Sequence, residues 1–119
     1  MRLGVISSRY VTDYKLANAW LNAVILNSKL SSAHVTIVTG ECNDVGTVAL
    51  QYAVCNSMNM MLHYPDYEHY GKIAAHMRNK LLVADIDMLV AFVDNECHYV
   101  QDIVLLTKES NKPIILIDI

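Results

Sequence analysis

Read for the alternation of apolar and polar positions, the chain divides into short apolar runs and longer segments of helical period. Leu3 to Ile6 is a β-branched run closed by Ser7-Ser8-Arg9. Thr12 and Asp13 offer caps for a helix whose apolar positions Leu16, Ala17, Trp20, Leu21, Val24 and Ile25 share a face. Val35 to Thr39 predicts a second strand, stopped by Gly40. Val45 to Met58 predicts a helix with Val48, Ala49, Tyr52, Ala53 and Cys55 among its apolar positions. Met60 to Tyr64 follows as a strand ended by Pro65. Tyr67 to Val83 reads as one continuous helix with a core stripe of Tyr70, Ile73, Ala74, Met77 and Leu81. Met88 to Phe92 has no polar interruption, as an interior parallel strand should. Tyr99 to Ser110 is the last helix and Pro113 to Ile117 the closing strand.

Strands that alternate with helices call for right-handed crossovers and a parallel sheet. The expected fold is therefore α/β: a Rossmann-like three-layer domain with a parallel five-stranded sheet. The turns at the carboxyl ends of its strands are the default ligand site. Those after the first, second and fourth strands are expected to converge on one cavity.

Composition narrows the picture. With 119 residues the chain suits one domain, and 54% apolar against 18% charged residues fits a sheet covered on both faces. The net charge of −3 leaves no basic face for duplex DNA. Cys42, Cys55 and Cys97 are odd in number and widely spaced, which predicts reduced thiols and a cytoplasmic location. Met1 to Ile6 runs straight into strand pattern without a signal-peptide core, and Leu81 to Val93, broken by Asp85 and Asp87, is too short to span a bilayer. No membrane contact is expected.

The loops carry a family resemblance that covers nearly the whole chain. The first strand runs into Ser7-Ser8-Arg9 and the acidic helix start Thr12-Asp13-Tyr14. Thr39-Gly40-Glu41 follows the second strand, and the next helix holds Tyr52-Ala53. Pro65-Asp66-Tyr67 leads to Tyr70-Gly71-Lys72 and Arg78-Asn79, with Asp87 nine residues after the arginine. In these motifs the chain resembles the SLOG superfamily of Rossmann-like domains, closest to its YspA-like branch. That superfamily also includes the LOG phosphoribohydrolases and the DNA-processing protein DprA.

Three phosphate-cradling loops depart from the family pattern. Ser7 and Glu41 stand where glycine is usual, Asp44-Val45-Gly46 exchanges the order of a Gly-x-Asp step, and Asp94 to Val100 replaces a Gly-rich loop. Side chains there occupy phosphate space or forbid the positive φ it needs, so a reshaped pocket is expected.

The resemblance implies a ligand site made of Ser7, Ser8, Arg9, Thr39, Gly40, Glu41, Asp44, Tyr67, Arg78, Asn79 and Asp94. Arg9 and Arg78 would fork phosphate or ribose oxygens; the bland alternatives are an Arg9–Asp13 surface pair and an Arg78 that merely pins a loop. Gly71 and Ala75 share the face of Arg78, where small residues permit close approach. Tyr64, Tyr67 and Tyr70 either stack on a base or form an apolar lid on the sheet. His63 reads as a core or rim histidine, and His69 and His76 as solvated. Cys55, Met58, Met60 and Met61 read as core. Trp20 is either core or a dimer anchor. Cys42, Cys97 and His98 lack the tight spacing of a metal site, so no metal and no cofactor is expected.

The expected function is non-catalytic binding of a nucleotide or nucleotide-derived small molecule, such as an ADP-ribose or cyclic-nucleotide-like signal, for sensing or sequestration. Sequestration would suit a virus-encoded antagonist of nucleotide immune signalling, acting in a host cytoplasm. The alternative from the same resemblance is a LOG-like phosphoribohydrolase cleaving the N-glycosidic bond of a nucleoside monophosphate. Its catalytic residues would be Arg78 and Asp102, the latter in place of the family's glutamate. A second alternative is DprA-like binding of single-stranded nucleic acid. A homodimer or higher homo-oligomer, paired through helices, is implied as well.

Overall fold

The structure is a computed structural model that describes residues 1–8, 11–40, 46–93 and 98–119. Its five strands are β1 (Arg2–Ser7), β2 (Thr36–Gly40), β3 (Asn59–His63), β4 (Met88–Val93) and β5 (Ile114–Asp118). All pair in parallel, in the order β3-β2-β1-β4-β5. Chain order reverses at β1, so the crevice expected of a Rossmann-like sheet falls between the carboxyl ends of β1 and β4. The α/β three-layer architecture read from the sequence is the one the structure has. No helix is long and apolar enough to cross a membrane among the described residues.

Strand parity sorts the core into two layers. Leu3, Val5, Ile37, Val90 and Phe92 pack with Ala17 and Leu21 of α1 (Tyr14–Asn27) and Val48, Ala49 and Tyr52 of α2 (Thr47–Cys55). Ile6, Val38, Leu89 and Ala91 face Leu82 and Val83 of α4 (Ala74–Asp85) and Val100 and Ile103 of α5 (His98–Glu109). Gly4 gives Ile86 close approach on this second face: a Cβ there would stand 3.0 Å from two Ile86 side-chain atoms, which would have to shift to admit it. Asp13 caps α1 by accepting from Leu16 N. α2 closes at Ser57, whose φ of 51° lets Met58 N return to Ala53 O.

Several elements depart from the sequence pattern. The helix expected over Tyr67 to Val83 is broken into α3 (Tyr67–Tyr70), a 3-10 turn (Gly71–Ile73) and α4. Gly71 makes the break, with φ 52°. It has open space around its Cβ position, so it serves the turn and not close approach. Beyond the break the buried stripe is rotated. Ala74, Ala75, Arg78, Asn79, Leu82 and Val83 face inward, whereas Tyr70, Ile73 and Leu81 are exposed. In α1, Leu16 and Trp20 likewise lie outside, leaving Ala17, Leu21, Val24 and Ile25 as the inner face. Cys55 ends α2 on its exposed side and is not core. Tyr64 follows β3 as an exposed residue.

One seam in the sheet bears on the site. The β1–β4 pairing runs from Leu3 to Ser7 and is extended by Ser8 N donating to Phe92 O. The β2–β3 pairing runs on to Gly40 and His63. The β1–β2 pairing stops at Gly4 and Val38. Thr36 N donates to Met1 O, so the β1 carbonyls that serve β2 are those of Met1, Leu3 and Val5. The last of these is taken instead by the Thr39 hydroxyl, which donates to Val5 O at 2.6 Å. Beyond that bridge β2 and β1 go separate ways at the carboxyl edge.

Candidate functional site

Helices that return from a parallel strand begin at the carboxyl edge of the sheet. α4 begins after β3 and α5 after β4, so their first two turns lie at that edge. On α4 these turns carry an unusual inner face. Arg78 is 2% exposed and Asn79 fully buried, in positions where a helix packed on a sheet ordinarily holds apolar residues. A buried guanidinium is sustained only by partners that accept its protons.

The partners form a chain. Arg78 Nε donates to Asn79 Oδ1 at 2.7 Å, and Asn79 Nδ2 donates to Asp102 Oδ2 of α5 at 2.9 Å. The same Asp102 oxygen lies 2.7 Å from His76 Nδ1. A carboxylate only accepts, so Nδ1 carries the proton and Nε2 is left as the ring's acceptor when the imidazole is neutral. Asn79 thereby reads both sides with its two amide ends. Its oxygen serves a cation and its nitrogen an anion. The charges of Arg78 and Asp102 are thus linked through one neutral buried amide, and His76 closes the chain towards solvent.

The structure brings together Arg78 and Asn79, named for the ligand site, and Asp102, named with Arg78 only for the phosphoribohydrolase alternative, in one hydrogen-bonded network. α4 packs over β1, β2 and β3 and against α5, whose Asp102 is reached by Asn79. Ser7, Ser8, Thr39 and Gly40 are buried at the carboxyl ends of β1 and β2. Tyr67 sits at the start of α3 and is exposed, as are Tyr64 and Tyr70, so the three rings do not form an apolar lid on the sheet. Arg9, Glu41, Asp44 and Asp94 lie outside the described residues, and so do Cys42 and Cys97. The expected convergence of the three turns falls there too.

His76 is the member that pattern reading missed. Like His69 it is exposed, as the sequence reading has it, but it also pairs with Asp102. The signal that finds it is the pairing of α4 with α5, which no spacing within either helix reveals. His69 does remain exposed, 3.3 Å from Asp66. His63 is a rim residue at the end of the edge strand β3, with Nε2 2.8 Å from Asp85 Oδ2.

A concavity of about 720 Å³ opens at the opposite, amino edge, lined by residues such as Arg2, Asp85, Asp87 and Lys112. Its charges are spent on the fold. Lys112 Nζ donates to Val83 O and Ala84 O at the end of α4, Arg2 N donates to Asp87 Oδ2, and the Arg2 guanidinium stands 3.5 Å from Asp85. Size alone does not make it the site, because ligands of open parallel sheets gather at the other edge. Compared with models of known protein families, with characterised proteins and with solved structures, the chain matches none.

Proposed function

We propose that the protein binds a nucleotide or nucleotide-derived small molecule at the carboxyl edge of its sheet, without turning it over. The observation that carries the reading is the buried Arg78–Asn79–Asp102 chain, two turns inside helices that start at that edge. An oriented guanidinium suits the phosphate or ribose oxygens of such a ligand. Arg9, which follows β1 in the sequence, is the second guanidinium of the proposal, and exposed Tyr67 and Tyr70 supply faces for a base. The motifs shared with SLOG domains point to the same ligand class. Sensing and sequestration are both served by a domain that holds its ligand and releases it unchanged.

The experiment is to denature the purified protein and identify released small molecules by mass spectrometry, then to titrate AMP and ADP-ribose into the emptied protein by calorimetry. Binding that weakens at least tenfold in Arg78→Met, with the ligand recovered intact, supports the reading. No binding by any nucleotide of such a panel contradicts it.

One observation favours a second reading. Asp102, the carboxylate proposed for a phosphoribohydrolase, is joined to Arg78 through a single side chain and also holds His76. N-glycosidic cleavage needs a carboxylate near the oxocarbenium-like centre and an acid for the leaving base. Release of free base from AMP, abolished in Asp102→Asn, would establish this reading in place of the first.

A further inference from the structure

His76 stands in the first turn of α4, at the carboxyl edge and two residues from Arg78. Its side chain is 45% exposed. Asp102 Oδ2 holds Nδ1 at 2.7 Å, which fixes the ring and leaves Nε2, on its far side, as the outward nitrogen. The binding reading uses Arg78 and Asn79 and gives this nitrogen nothing to do. The charges around the ring are of both signs. From α5, Asp102 faces it, with His98 and Tyr99 one turn before Asp102. Arg78 follows two residues on, Lys80 one turn on, and Lys72 lies one turn back, in the 3-10 turn before α4. α3 contributes Glu68 and His69, the latter 3.3 Å from Asp66. Under α4 the strands contribute His63, which is engaged with Asp85. Carboxylate, ammonium and guanidinium groups ordinarily keep their charge between pH 5 and 8, and imidazoles do not. Within the hydrogen-bonded network, His76 is thus the group whose charge can answer a ligand's.

We propose that binding of a phosphate-bearing ligand at this edge is proton-linked: His76 takes up a proton at Nε2 and donates it to a phosphoryl oxygen while Asp102 holds Nδ1. This deepens the binding reading and rests on it. The proton comes from solvent, the ring passes from neutral to singly positive, and no bond of the ligand breaks. Asp102 then faces an imidazolium, so the new charge is paired on one side and meets the ligand on the other. Arg78, Lys72 and Lys80 repel that proton, Asp102 draws it, and a bound dianion adds to the drawing side. Linkage fixes the sign of the effect. A dianion beside the ring favours its protonated form, and the protonated form by the same factor favours the dianion. Affinity is therefore highest below the histidine range and declines as pH rises through it. A unit charge about 6 Å from a dianion in watery surroundings changes affinity about tenfold.

The test uses the full chain and ADP-ribose, whose pyrophosphate keeps its charge over this range, whereas a phosphate monoester such as AMP itself titrates at about pH 6. Calorimetry at about pH 7 in two buffers of different ionisation enthalpy should show net proton uptake on binding. The Kd should rise about tenfold from about pH 5.5 to about pH 8. In the unmodified chain, the NMR ring signals of His76 should titrate at higher pH with ADP-ribose bound than without it. His76→Gln, whose amide nitrogen can still donate to Asp102, should abolish both the uptake and the slope, with circular dichroism unchanged. His98→Gln should leave both in place. Binding without proton uptake, or a slope that survives His76→Gln, overturns the proposal and leaves the binding reading standing. No binding of ADP-ribose at any pH overturns the two together.

Discussion

Replacing Asn79 by alanine removes the neutral amide that, among the described residues, joins the charges of Arg78 and Asp102. Two hydrogen bonds to charged partners disappear, at 2.7 and 2.9 Å. Such bonds contribute about 1.5–3 kcal/mol each. The outer one belongs at the low end, since Asp102 keeps a quarter of its side chain in solvent and water can replace the amide. The inner one belongs at the high end, since Arg78 is buried and its Nε–H would be left facing a methyl group. The sum is about 4–5 kcal/mol, a large part of the ~5–15 kcal/mol that holds a domain of this size together. At roughly 4 °C per kcal/mol for a chain of this length, the thermal midpoint should fall by about 16–20 °C. Asp102→Ala should cost less, about 1–2 kcal/mol, and the double variant should be less destabilised than the sum of the two. Urea unfolding followed by circular dichroism measures all three. A loss under about 1 kcal/mol for Asn79→Ala, or strict additivity with Asp102→Ala, would refute the view that the guanidinium is held through this amide.

Other consequences are independent of the site's ligand. Thr39→Val keeps the shape of the buried side chain but strips Val5 O of its donor at the seam, and should cost about 1–3 kcal/mol in the same unfolding assay. Burial raises the Tyr52 pKa above its ordinary 10.0, so the folded state holds the phenolic proton more tightly than the unfolded chain. That stability is full below pH 10 and is lost as pH rises from there through the folded value. Tyr52→Phe should remove this alkaline loss while also giving up the hydrogen bond to Asn22 Oδ1, as a pH series of thermal midpoints would reveal. Ser57→Gly relieves a left-handed residue at the end of α2 and should raise stability by about 1 kcal/mol by urea titration.

The strands were legible because their residues are apolar on both faces, and each predicted run overlaps an observed strand. Helix faces were less so. α4 shows why: its inward side holds Arg78 and Asn79, while Ile73 and Leu81 look outward, so a reading that sends apolar residues inside rotates the helix the wrong way. The same polar pair that misleads the periodicity is what carries the proposed site. Gly71 could be seen in the sequence, but not that the chain would leave helical geometry there, since an isolated glycine is tolerated inside helices. His76 became a partner of Asp102 only through the packing of α4 on α5, a relation between residues 26 positions apart. The Thr39 bridge was hidden for the same reason, its acceptor lying on another strand.

Hydrogen exchange of the backbone amides, with and without AMP or ADP-ribose, tests the central claim most directly. Ligand should slow exchange at Ser7 and Ser8, at Thr39 and Gly40, and over the first turns of α4 and α5 around Arg78 and Asp102. Slowed exchange at Arg2, Asp85 to Asp87 and Lys112 instead, or none anywhere, would contradict it.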